Sequence, residues 1–376
     1  MKLSFSQLTK ASALRIPIGG RIRGLGPHKY YTTAAPAMTL ESARAHGLKI
    51  LSEQDRSSYI LHKYITKRAQ DAFLAVRLFY LDTARIAASV SNTQMAQLRF
   101  DFWRRTVQQI FAQSTSNDNT PAVGALAKEP VAILLRHALK DQGIVLSKRY
   151  FITLLQTRES HDVRMPPFRN ADAMASYGEG THSQAMYLTQ EACLSAAPRV
   201  AQFLQEYPDM DRLAHDLVAH AGQAAGVAGL IKAFKYYGRR GNIVLPVDSM
   251  AKHNVSQHSV SQMITAYGEG GQAAVDTPEM LALRGQLSDV VFETATLAND
   301  HIISAASIIK QLNEYLSGDI PDAIFVPAMN VIPTKLFLER LEKYNFDVMH
   351  PDVLKTGSDW KLPFRSYKAY KLRKID

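Results

Sequence analysis

Residues 214–247, AHDLVAHAGQAAGVAGLIKAFKYYGRRGNIVLPV, contain the strongest pattern in the chain. Through most of this run glycine is the only helix breaker. A Gly-Arg-Arg-Gly turn at 238–241 and a short apolar run closed by Pro246 then follow. At 3.6 residues per turn, Gly222, Gly226, Gly229 and Ala233 fall on one stripe, continued by Tyr236 and Tyr237. Each glycine in a helix interior costs about 1 kcal/mol relative to alanine. A helix carries three of them within one short stretch when something approaches its backbone closely, either another helix or a flat apolar ligand.

On the N-terminal side the periodicity is helical throughout. Helices are expected at 41–53, at 57–91 with a break near Ile65–Thr66, and at 94–113. Phe73, Val76, Tyr80 and Ala84 form the apolar side of the second, and Leu98, Phe102, Val107 and Ile110 that of the third. The polar run STSNDNTPAVG, 114–124, reads as a loop. Further helices are expected at 129–142, 147–158 and 170–206, the last two separated by SHDVRMPPFRN, which Pro166 and Pro167 keep non-helical. Asp209 and Asp211 open the glycine-striped helix, as acids near a helix N-terminus should.

Beyond Pro246, Asp248 and Ser256 read as caps of short helices. Residues 277–317 form one long or kinked helix, and 331–344 another with Pro333 in its first turn. Apart from the brief IVLPV, no run alternates with period two. The expected class is all-α, a single helical domain over 41–354.

The 376-residue chain can bury a sizeable core. Its 46% hydrophobic and 21% charged content is that of a globular protein. The single cysteine, Cys193, excludes an internal disulfide framework and any multi-cysteine metal site; it reads as a buried small hydrophobe.

The net charge of +10 is uneven: residues 1–40 hold six basic residues and no acid, leaving +4 for the rest. With Leu3, Phe5, Leu8, Leu14 and Ile16 and several hydroxyl residues, that segment has the composition of a disordered mitochondrial presequence. A plain basic tail is the alternative. Its removal on import would take away most of the positive charge, which weakens any argument for nucleic-acid binding. No segment has the uninterrupted apolar length of a membrane span; the nearest, 217–231, contains His220 and Gln223 and reads as a core helix.

The RRGxxxLPxD ending of the glycine-striped helix (Arg239, Arg240, Gly241, Leu245, Pro246, Asp248) resembles the second signature of the squalene/phytoene synthase family. AFLAVRLFYLDTARIAASVS followed by LRFDFWRR resembles that family's first signature helix and its WR-containing helix, in the same order. The closing segments, VPAMNVIPTKLFLERLEKYNFDVMHP and WKLPFRSYKAY, resemble its C-terminal portion. They are most similar to its non-catalytic mitochondrial branch, whose members assist assembly of respiratory complex I. The resemblance implies an isoprenoid-synthase-like fold.

In catalytic members of the family the second signature helix carries glutamine, asparagine and an acidic D-x-x-E-D cluster that hold magnesium against a prenyl diphosphate. Laid on this chain, the amide positions are Gly226 and Gly229, and the acidic ones are Ala233, Tyr236 and Tyr237. The first signature helix offers Asp82, with Arg85 beside it. Magnesium needs several oxygen ligands, so one carboxylate facing a helix with none implies no metal, no cofactor and no catalysis. These seven residues are therefore expected to line a vestigial cavity, either plugged by the tyrosines or lined for an uncharged lipid tail. An active prenyl-transferring enzyme would need carboxylates from elsewhere, and Glu159, Asp162 and Glu179 are the candidates. Of these, Glu159 and Asp162, with His161, are expected in a loop. Asp216 and His220, spaced i and i+4, read as a plain helix pair.

Residues 355–376 interleave Trp360, Phe364, Tyr367 and Tyr370 with basic residues that include Lys361, Arg365, Lys368 and Lys371. That mixture suits an anionic membrane surface; RNA stacking, or simple docking of the aromatics on the core, are the alternatives. Through the resemblance, the expected role is assembly of complex I in the matrix, peripheral to the inner membrane. Its partners would be complex I subunits or other assembly factors, with contact to anionic lipid and no specific nucleic acid. A mitochondrial lipid- or RNA-binding protein is the third reading.

Overall fold

The computed structural model describes residues 38–90, 92–115, 124–355 and 359–375. Ala37–Asp376 form one contact-dense unit. The presequence expectation falls outside the described residues except for Met38–Leu40. Among the described residues every regular element is helical, as the missing period-two alternation predicts.

Helix α1 (Leu40–Gln54) is followed by α2 (Arg56–Leu61), and Asp55 between them accepts the Ser58 N–H at 3.1 Å to cap the second. The chain breaks at Ile65 and Thr66, whose ψ angles are 132° and 143°, where the sequence predicts it. Helix α3 (Gln70–Arg85) then runs through the core, with Phe73, Leu74, Ala75, Val76 and Phe79 buried. Next come α4 (Thr93–Thr115), α5 (Pro130–Arg136) with a π-helical turn at His137–Asp141, and α6 (Lys148–Asp162). Helix α6 continues a turn beyond the expected end at Arg158. Glu159, His161 and Asp162 are therefore helical and not in a loop: the helix breakers Pro166 and Pro167 act only after Val163.

The helix expected over 170–206 is divided. Asn170 caps α7 (Ala171–Gly178), a π-helical turn follows at Glu179–Ser183, and α8 (Gln184–Ser195) ends before α9 (Pro198–Glu206). The break at Ala197 (φ −125°, ψ 69°) is the work of Pro198, which cannot donate into the preceding turn and drives its neighbour out of the helical region.

Helix α10 (Pro208–Lys232) is the central element, with Leu217, Val218, Ala221, Ala224, Val227 and Ile231 fully buried. It ends one residue inside the predicted stripe, at Ala233 (φ −88°, ψ 2°), and α11 (Phe234–Gly238) carries the two tyrosines. After α11 the IVLPV run forms no strand. Instead the N–H groups of Val247 and Asp248 donate to the carbonyls of Phe168 and Arg169, at 2.9 and 3.1 Å. Helices α12 (Val247–Lys252), α13 (Gln257–Gly270) and α14 (Pro278–Tyr315) follow. The last is one continuous 38-residue helix capped by Thr277. Helices α15 (Asp322–Ala328), α16 (Val331–Lys343), α17 (Pro351–Leu354) and α18 (Leu362–Leu372) complete the chain.

Helix α10 packs most extensively against α14, and on other sides against α7, the Glu179–Ser183 turn and α16. The α14 side is marked by His220, whose Nδ1 lies 3.0 Å from His301 Nδ1. The glycine stripe, about half a turn round the helix from His220, meets α7 and the π-helical turn.

Candidate functional site

Glycine on α10 serves two different purposes. A Cβ built on Gly226 would overlap Gly178 Cα, and one built on Gly222 would overlap the backbone of Ser183. At these two positions the close neighbour is another helix, brought to backbone contact where α7 passes into its π-helical turn. Gly229 is looser: a Cβ there would meet only the His182 ring, at 3.4 Å. Beyond that ring a cleft of about 150 Å³ opens between α2, α3, α10 and α16.

The walls of the cleft carry Asp55, Ser58, Arg77, His182, Lys232 and Thr334 among apolar groups. Arg77 forms an ion pair with Asp55 through Nη2, and its Nε lies 3.2 Å from the same carboxylate oxygen. Burial alone would raise the Asp55 carboxyl, but Arg77 and the Ser58 N–H outweigh it and hold it below its ordinary value. The Tyr80 hydroxyl lies 2.7 Å from His182 Nε2, and the Arg77 and Arg158 guanidiniums lie 4.7 and 4.2 Å from the Tyr80 ring centroid. Fully buried Arg158 also donates from Nη1 to the Tyr80 carbonyl and to Thr83 Oγ1. Burial, and then the two arginines, push the His182 imidazole down to about 3, so it is neutral at physiological pH. Deeper in, the Tyr177 hydroxyl donates to Asp162 Oδ1 at 2.8 Å.

The residues named from the sequence scatter. Gly229 lines the cleft and Gly226 is spent on helix contact. Asp82 and Arg85 are exposed on α3, and Arg85 bonds Gln54. Ala233 forms the break after α10. Tyr236 is exposed beneath the Arg240 guanidinium at 3.9 Å, while Tyr237 packs on the core. Burial, and then Asp162, raise the Tyr237 hydroxyl above the ordinary tyrosine range. The three further carboxylates are committed elsewhere: Glu159 to Arg104, Asp162 to Tyr177, and Glu179 to Tyr187 and Gln223. Among the described residues no three His, Cys, Asp or Glu side chains converge to hold a metal ion.

The cleft residues Asp55, Arg77 and His182, and the buried Arg158 against Tyr80, were not anticipated. Arg77 stands inside the run that resembles the first signature, but an arginine on a helix reads as a solvated side chain unless its buried partner is known. His182 is invisible because the π-helical turn that aims it has no sequence signature.

Near the C-terminus, α18 packs on α16 through Leu362 and Ala369, and Tyr64 meets Tyr370 at 5.1 Å between ring centroids. Arg365 is turned toward the core and pairs with Glu339 at 3.0 Å; Lys361, Lys368 and Lys371 are exposed. No described helix is long and apolar enough to cross a membrane. Cys193 is buried, and burial pushes its thiol up to about 12.

Comparison with known proteins gives the family. The chain is 25% identical over 309 residues to human NADH dehydrogenase (ubiquinone) complex I, assembly factor 6, covering 81% of this chain and 76% of that protein. It is 22% identical over 326 residues to the Drosophila melanogaster homolog of that factor, covering 86% of this chain and 81% of the relative. Among solved structures, a dehydrosqualene synthase in complex with ligand is similar at a TM-score of 0.58 and 12% identity, over 88% of this chain and 96% of that one. YisP from Bacillus subtilis is similar at a TM-score of 0.53 and 11% identity, over 86% and 95%. These confirm the expected isoprenoid-synthase-like fold. With the squalene/phytoene synthase model matching residues 51–363, the chain belongs to the squalene/phytoene synthase family.

Proposed function

We propose that this chain is a non-catalytic assembly factor for respiratory complex I. It works in the mitochondrial matrix at the face of the inner membrane, with residues 1–40 as its import presequence. Its partners are complex I subunits or other assembly factors.

The observation that carries the non-catalytic part is the wall of the cleft beside Gly229. Prenyl coupling of this family's kind places magnesium among several carboxylate oxygens. Here Arg77 and Lys232 present two cations, His182 is held neutral, and Asp55 is already paired with Arg77. A divalent ion entering the cleft would meet like charge. The volume of about 150 Å³ is also below the roughly 300 Å³ at which small-molecule sites begin, far short of two prenyl chains. Tyr236 and Tyr237, the expected plugs, are not among the residues that line this cleft; His182, backed by the Tyr80 hydroxyl, stands beside Gly229 instead. The choice of client rests on the relatives named as complex I assembly factors.

The test is a native gel of respiratory complexes from cells lacking the gene. Loss of complex I with the other complexes intact, restored by the wild-type chain, is the expected result; an unchanged complex I would sink the reading. In parallel, calorimetry with farnesyl diphosphate and magnesium is expected to show no metal-dependent heat. Tight metal-dependent binding would overturn the non-catalytic part.

A further inference from the structure

We propose that α18 is a membrane-docking helix whose outward face seats on an anionic lipid surface. This rests on the membrane-peripheral position proposed above but not on the choice of client.

The helix has two opposite faces. Leu362, Ser366 and Ala369, spaced i, i+4 and i+7, are buried against the core. Phe364, Tyr367 and Lys371, spaced i, i+3 and i+7, lie about 180° away round the helix, and Trp360, in the turn before it, stands 6.4 Å from Phe364 between ring centroids. That second stripe points outward, with Trp360 74%, Phe364 71% and Tyr367 59% exposed. Lys361 and Lys368 flank it on one side, and the Lys371 ammonium lies 5.9 Å from the Tyr367 ring centroid. The neighbouring acid, Asp359, is occupied, accepting the Lys361 N–H and pairing with Arg340 at 3.4 Å.

The presentation is rigid. Tyr370 donates to Asp322 at 2.8 Å, Arg373 pairs with the same carboxylate, and Asn313 donates to the Arg373 carbonyl at 2.8 Å. The basic and aromatic character continues on α2, which touches α18, and on the turn after it; there Arg56 and Lys63 lie 5.8 and 6.0 Å from the Tyr59 ring centroid.

Aromatic rings in line along a helix, flanked by lysines, match the layered chemistry of a lipid interface. Tryptophan and tyrosine settle at headgroup depth, and ammonium groups meet phosphate. The positive flank commits the partner to anionic lipid and against a neutral bilayer.

The experiment is flotation of the full chain with vesicles of phosphatidylcholine alone and of phosphatidylcholine with about one-quarter cardiolipin. Wild type, W360S/F364S/Y367S and K361E/K371E are compared, and each variant's melting curve is checked. All five substituted positions are exposed, so the fold is expected to persist. Wild type should float with the anionic vesicles, and both variants should lose about tenfold in partitioning. The variants carry the same residues 1–40 as wild type, so a difference between them reports on α18. Equal flotation of wild type and the aromatic variant, or no flotation of wild type, overturns the proposal. If the aromatic variant floats normally but fails to restore complex I in deletion cells, the face docks protein instead. If flotation fails while wild type still restores complex I, the assembly-factor reading stands without the membrane helix.

Discussion

Gly226 of α10 meets Gly178 of α7 so closely that neither helix has room for a side chain from the other: a Cβ on Gly226 would overlap Gly178 Cα, and one on Gly178 would lie 3.2 Å from Gly226 Cα. Both obstacles are backbone, so the helices must separate to admit a methyl group. Gly226→Ala is expected to destabilise the fold by about 3 kcal/mol, at the upper end of overpacking costs. Gly229→Ala, one turn on, meets only the edge of the His182 ring at 3.4 Å and should be neutral or stabilising by up to about 1 kcal/mol through helix propensity. Urea melts of the two variants check this. Equal costs would mean the two glycines do the same job, contrary to the packing.

A second expectation concerns Arg77 and Asp55, whose side chains are each 13% exposed. Removing the guanidinium with Arg77→Met leaves a carboxylate buried without its cation, at a cost of about 3 kcal/mol at neutral pH. The pH dependence of this carboxyl runs in opposite directions in the two proteins. In wild type the Asp55 carboxyl is held low, so its contribution is present above about pH 4 and is lost as pH falls further. In Arg77→Met burial is left to raise it, so the variant recovers as pH falls toward 4 and suffers as pH rises. The gap between wild type and variant should therefore be wide at pH 7 and narrow near pH 4, and Asp55→Asn in the Arg77→Met background should restore most of the loss. A gap independent of pH would remove the pair from the account.

His182 supplies a third. Its folded value of about 3 lies below that of an unfolded histidine, so the unfolded chain binds the extra proton first. Stability is complete above about pH 6.5 and declines as pH falls from there toward 3, by at most about 1.4 kcal/mol per unit. His182→Gln keeps a polar partner for the Tyr80 hydroxyl and removes the proton site. Its stability should change less between pH 7 and pH 5 than that of wild type, measured by chemical denaturation at each pH. An unaltered slope would place the acid sensitivity elsewhere.

The glycine stripe was legible because helical spacing and the cost of glycine are both local. Its partner was not: residues 170–206 read as one helix, and nothing in EGTHS announces the π-helical turn that brings Gly178 and Ser183 to α10. For the same reason the first signature helix was legible while its inward-facing side was not. Asp82 and Arg85 sit where a carboxylate is expected, yet α3 turns Arg77 and Tyr80 inward. The expected cap at Ser256 is in place, accepting the Ser259 N–H, whereas Asp248 lies inside α12, which starts directly after Pro246. In the tail, Trp360, Phe364 and Tyr367 read as aromatics scattered among lysines until Leu362 and Ala369 fixed which side of the helix faces inward.

The last prediction follows from that orientation. Ala369 is 6% exposed and stands between α18 and α16, near Leu336 and Ile332. Ala369→Glu would force a carboxylate into the apolar contact with Ile332 and Leu336, so burial opposes it. Helix α18 should detach while the α10–α14 pairing, joined to it through the Asn313 bond to the Arg373 carbonyl, stays folded. Limited proteolysis is expected to clip the variant after about residue 355 at least tenfold faster than wild type, with a small change in melting temperature, as loss of a peripheral unit implies. The same assay on W360S/F364S/Y367S should match wild type, because those rings face away from the core. Rapid clipping of that variant would mean the aromatic stripe holds the helix down, and its exposure would no longer mark a docking face.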